Sequence, residues 1–174
     1  MTRLLTNNEY VQAVNLVDSD GNLLPIDKGF SIPVTLTVTN GAYSIGDVVG
    51  GLITLPNIVS AAGKRAIITT IALAGVVAIP YELWFFTADI ATPPADNAAF
   101  ALAAADGLKY IGTVPIQSGD YYAAQNSFNN ATVKSGGLLV QGTTTSIYAY
   151  LKALAVTSPG TTTLYLKVKG LMLD

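Results

Sequence analysis

The run IPVTLTVT, residues 32–39, alternates without a break, with Val34, Leu36 and Val38 on one side and Thr35, Thr37 and Thr39 on the other. A period of two is the signature of an extended strand with one face on a core and the other toward water, and β-branched residues suit the pleat. Asn40-Gly41 closes the run with a turn step. A second strand is expected from Val48 to Leu55, interrupted by Gly50-Gly51 at a bulge or corner.

The same grammar extends along the chain. Residues 64–79 read as one long strand or two short ones around Gly75, and Tyr81–Thr87 as another after Pro80. Further strands are predicted at Lys109–Ile116, Ala131–Val140, Ser146–Leu154 and Thr163–Leu171. In the last, Leu164, Leu166 and Val168 share one face, and Tyr165, Lys167 and Lys169 share the other, as on a solvated sheet or a guarded edge. In YELWFF, residues 81–86, both faces are apolar: Leu83 and Phe85 on one, Trp84 and Phe86 on the other. Such a strand lies centrally in a layered structure or is half-buried in an oligomer interface.

One stretch breaks the pattern. In IATPPADNAAFALAAAD, residues 90–106, Pro93-Pro94 precedes Asp96 and an alanine-rich run with Phe100 and Leu102, which predicts one short helix capped by Asp96 and packed over a sheet opening. The expected fold is therefore all-β, a jelly-roll-like antiparallel sandwich of about eight strands with one short helical insertion. Residues 31–174 form its single domain. Residues 1–30 form an N-terminal arm or peripheral hairpin, with a tight turn expected at Asp18-Ser19-Asp20-Gly21-Asn22.

Composition sets the functional bounds. Of the 174 residues, 51% are hydrophobic and only 11% charged, against roughly 25% charged in an ordinary soluble domain. A surface so poor in charge is expected to be partly covered by other protein surfaces, including copies of the same chain. The net charge of −2 is spread singly along the sequence, so no basic groove for nucleic acid is expected. The apolar run Ala66–Pro80 is shorter than the roughly 20 residues of a spanning helix, and its Ile, Val and Thr content predicts buried strands instead. The N-terminus lacks the apolar region and small-residue cleavage site of a secretory signal.

The chain contains neither histidine nor cysteine. Ser-His-Asp and Cys-His catalysis are thereby excluded, with thiolate metal sites and disulfides. Paired carboxylates remain, but most aspartates stand in Gly, Asn, Ser or Pro turn contexts, where local backbone bonding explains them. The oxygen-rich Asp18–Asn22 run resembles part of a calcium loop, but the twelfth position, where a bidentate Glu belongs, is Gly29. Gly50-Gly51 and Gly136-Gly137 lack phosphate-loop context and read as turns and bulges. No enzyme activity, cofactor or metal is expected.

Aromatic side chains are the remaining candidates. Tyr121-Tyr122 stands beside a polar stretch and reads as loop-borne, and Tyr148 and Tyr150 share a strand face with Lys152. Trp84, Phe86, Tyr121, Tyr122, Tyr148 and Tyr150 are thus the candidate oligomer or partner interface. Internal packing and carbohydrate binding are the alternatives for the tyrosines.

Two stretches, VTLTVTNGAYSIGDVVGGLITLPN at residues 34–57 and ADNAAFALAAADGLKYIGTVPI at residues 95–116, resemble a family of small tailed-phage and prophage virion proteins encoded among head genes. The resemblance covers most of the chain after about residue 30 and implies a capsid decoration or cement protein on the head surface. It implies a homo-oligomer, with a trimer favoured, and the major capsid protein as partner. Direct nucleic-acid or membrane contact is not implied. A receptor- or glycan-binding module of a phage fibre and a jelly-roll shell protein are the competing expectations.

Overall fold

The structure, a computed structural model, describes residues 3–4, 10–11, 28–124 and 128–173. The turn expected at Asp18–Asn22 lies outside the described residues. A short pair, β1 (Arg3–Leu4) and β2 (Tyr10–Val11), precedes the sandwich. Nine strands build the sandwich: β3 (Lys28–Thr37), β4 (Val48–Leu55), β5 (Arg65–Gly75), β6 (Tyr81–Phe86), β7 (Tyr110–Ile116), β8 (Tyr121–Ala124), β9 (Phe128–Gln141), β10 (Ile147–Ala153) and β11 (Thr163–Leu173). The one β-segment with no counterpart in the sequence reading of the sandwich is β8, a four-residue edge strand beside the start of β9.

One sheet has the order β3-β11-β5-β9-β8 and the other β4-β10-β6-β7. All neighbours pair antiparallel. With β8 set aside, each sheet takes four strands, and the interleaving that brings β3 beside β11 is the double Greek key of a jelly roll. The two strand-interior prolines obey this order. Pro33 lies on β3 and Pro115 on β7, both sheet edges, where a missing N–H leaves no ladder bond unmade.

Alternation decides which side chains meet between the sheets. Leu36, Ile71, Leu73, Leu164, Leu166 and Val168 from one sheet face Ile53, Leu55, Leu83, Phe85, Ile147 and Leu151 from the other, all buried. The expected facing of β11 is observed, with Tyr165, Lys167 and Lys169 exposed on the outer side. Both glycine pairs sit in bulges. Opposite β10, three residues of β4 from Gly50 to Leu52 face one, and opposite β5, Ser135-Gly136-Gly137 of β9 face Thr69. All four glycines have positive φ, which side chains with a Cβ resist.

The helical insertion differs in place and kind from the expectation. No helix starts at Asp96; a five-residue 3-10 helix occupies Ala104–Leu108 at the end of the alanine-rich run. The reason is tertiary. Backbone groups that a helix would pair internally instead bond the start of β4: Val48 N–H donates to the Ala98 carbonyl, Asn97 N–H to that of Val48, and Phe100 N–H to that of Gly46. The Asp96 carboxylate, expected as a helix cap, is taken by groups from around β3 and β4.

Candidate interaction surfaces

Part of the outer face of the four-stranded sheet is covered by the chain itself. Residues 87–109, between β6 and β7, run across it as a strap and close a second apolar cluster of Val48, Phe86, Ile90 and Tyr150, with Trp84, Phe100 and Tyr148 partly buried against it. Phe100 is the plug, with ring centroids 5.2 Å from Trp84, 6.4 Å from Phe86 and 5.7 Å from Tyr150. Edge-to-face and tilted aromatic pairs of this kind add to the gain from burial alone.

Two aspartates, Asp96 and Asp89, tie the strap down, and a third, Asp106, braces it internally. Asp96 accepts hydrogen bonds from the Thr39 N–H and hydroxyl, the Tyr43 hydroxyl and the Gly50 N–H, each at 2.7 Å. Asp89 accepts from the Tyr150 hydroxyl at 2.6 Å. Asp106, only 1% exposed, accepts from the N–H groups of Ala91 and Ala103 and from Lys109. Burial pushes the carboxyls of Asp96 and Asp106 upward, but the donors around each outweigh it and hold both below the ordinary carboxylate range.

Beside the strap, Glu82, Trp84 and Lys152 form a compact polar group. Lys152 Nζ lies 2.6 Å from Glu82 Oε2, Trp84 Nε1 donates to the same oxygen at 3.1 Å, and the ammonium stands 4.8 Å from the indole centroid. The hydrogen bond from Lys152 is the largest influence on Glu82 and, with the Trp84 N–H, holds its carboxyl low against the upward push of burial.

The candidate aromatic residues therefore separate. Trp84, Phe86, Tyr148 and Tyr150 come together on the four-stranded sheet, but Phe86 and Tyr150 are fully buried within the chain and present no surface. Tyr121 and Tyr122 are not loop-borne but lie on β8, where alternation turns them apart. Tyr121 packs toward the main core with its hydroxyl buried and unpartnered, while Tyr122 is 74% exposed on the outer face of the five-stranded sheet.

On that outer face, by contrast, Tyr122, Leu139 and Tyr165 are half or more exposed. Pairing register places Tyr165, Ala74, Asn130 and Tyr122 in one row across β11, β5, β9 and β8, followed by Lys167, Ala72 and Thr132, and then Lys169, Thr70 and Lys134. Beyond the bulges come Leu171, Ile67 and Leu139. The five strands carry five basic residues, Lys28, Arg65, Lys134, Lys167 and Lys169, and no acidic residue. Among the described residues, the ion pairs are Lys109–Asp106 and Lys152–Glu82, so none of these five is paired. The lysine alternation of β11 was legible in sequence; Lys134 joins it only through pairing with β5, which a linear reading does not reveal.

Neither a protein-family model nor a curated protein matches the chain. Among the described residues no group of three or more acidic side chains is placed to hold a metal ion, and no helix is long and apolar enough to cross a membrane.

Proposed function

We propose that the chain is a structural virion protein of the capsid-decoration type, which clamps neighbouring subunits of a phage head by protein–protein contact. The observation that carries this reading is the asymmetry of the sandwich. The strap covers an aromatic cluster on one sheet, while the other presents exposed tyrosine, leucine and lysine side chains on its outer face. Interfaces favour tyrosine and well-packed apolar side chains, and a rigid sandwich holds such a face in register at little entropic cost. The likeness of residues 34–57 and 95–116 to tailed-phage virion proteins supports the same reading. On it, the chain acts as a homo-oligomer, a trimer first, on the head surface against the major capsid protein, and many weak contacts sum by multivalency.

The test is the solution mass by light scattering, repeated after mixing with emptied heads of the phage that encodes the chain. A trimer that co-sediments with heads is the expected result. A monomer indifferent to heads overturns the reading. A second reading, a glycan-binding module, is favoured by one observation, the exposed Tyr122 in the same row as Asn130 and Tyr165. A saccharide-dependent rise in melting temperature together with a monomeric mass would select it.

A further inference from the structure

On the outer face of the five-stranded sheet, the small side chains of Ala72 and Ala74 on β5 lie between taller neighbours on β11 and β9. The result is a trough of about 500 Å³, with Tyr165, Lys167 and Lys169 along one wall and Asn130 and Thr132 along the other. It spans two inter-strand spacings, about 10 Å, which is room for one extended chain. Lys134, exposed on β9 in the row of Lys169, extends the second wall.

The spacing of the cations is informative. Lys167 and Lys169 are alternate residues of one strand and so stand about 7 Å apart along it. That is also the repeat between same-side residues of an extended polypeptide. Carboxylates at alternate positions of a strand-like segment would meet both ammonium groups in turn, while Asn130 and Thr132 offer hydrogen-bonding groups on the opposite wall. Any protein carboxylate that pairs with these lysines comes from outside the sheet, since none of its strands carries an acid.

We propose that this trough binds an extended acidic polypeptide segment with carboxylates on alternate residues, supplied by the protein partner. The proposal names the chemistry of the partner for the open face and in that sense rests on its reading as a contact surface. It is tested with the full chain and an alternating Asp-Ser peptide, against a peptide of the same composition with its acids in one block.

In amide-resolved NMR titrations, the alternating peptide is expected to shift Tyr165–Lys169, Ala72–Ala74 and Asn130–Lys134. Its affinity should exceed that of the block peptide several-fold and fall at least tenfold between ~0.05 and ~0.5 M salt. The double variant Lys167→Glu/Lys169→Glu, whose side chains are exposed, should fold normally and lose about tenfold or more in affinity. Ala72→Leu, which fills the trough without changing charge, should weaken binding independently.

No shifts in the trough, equal affinity for the two peptides, or tighter binding of polygalacturonate than of either peptide would each overturn the proposal. If the peptide fails while the chain still co-sediments with heads, the inference falls and the decoration reading stands. If the peptide binds and heads are ignored, the inference stands and the decoration reading falls.

Discussion

Asp96 gathers donors from three positions that are distant in sequence, Thr39, Tyr43 and Gly50, separated from it by 46 to 57 residues. Nothing in the local sequence reveals this. Asp after a proline pair and before an alanine run has the pattern of a helix cap, and the local signal loses because the carboxylate serves instead as acceptor for the part-buried Tyr43 hydroxyl and Gly50 N–H. Asp96→Ala is expected to cost about 2–4 kcal/mol in urea unfolding, since several groups lose their acceptor at once. Asp96→Asn should cost less, because the amide keeps one acceptor oxygen. Tyr121 illustrates the opposite case. Its hydroxyl is buried without a partner, so Tyr121→Phe is expected to leave stability unchanged or raise it by up to about 1 kcal/mol. A loss of stability in the same unfolding assay would show that the hydroxyl has a role.

At the scale of elements, alternation made most of the sandwich legible. The predicted Val48–Leu55 matches β4 residue for residue, and the expected runs at Tyr81, Lys109, Ser146 and Thr163 coincide with β6, β7, β10 and β11 to within a residue or two at each end. A half-buried strand writes its facing directly into the sequence. The strap does not, because its conformation is dictated by the surface it covers. The two-faced apolar pattern of β6 does record that something covers Trp84 and Phe86, but not whether the cover is another subunit or the chain's own residues 87–109. Phe100→Ala tests the strap as a unit. It should destabilise the protein by about 2–4 kcal/mol and, because the chain has a single tryptophan whose ring meets Phe100, shift the emission of Trp84 to the red. Unchanged emission would mean that the strap shields the indole without its plug.

At the scale of the whole molecule, the absence of histidine and cysteine leaves no side chain with an ordinary titration point between about pH 5 and 9. Glu82, Asp96 and Asp106 are all held below their ordinary values in the folded chain. The unfolded chain therefore takes up protons first as pH falls, so the stability these carboxylates contribute is present above about pH 4–5 and is lost below it. Tyr43, Tyr81, Tyr121 and Tyr150 are pushed up, chiefly by burial, so the folded form resists their ionisation and stability declines as pH rises past about 10. The expected melting-temperature profile is flat from about pH 5 to 9 and falls on both sides. A step near pH 6–7 would contradict this account.

The place of β11 has a further consequence, for the order in which the molecule is made. This strand follows β3 and β5 in the chain yet lies between them, bonded to both along most of its length. A chain emerging from the ribosome thus displays two strands that belong to one sheet yet have no contact with each other, and the gap stays open until Thr163–Leu173 has cleared the exit tunnel. Closing it joins residues more than a hundred positions apart, the kind of pairing that makes folding slow and leaves apolar surface waiting. β11 is thus the keystone, and the sheet closes only after this strand has left the ribosome.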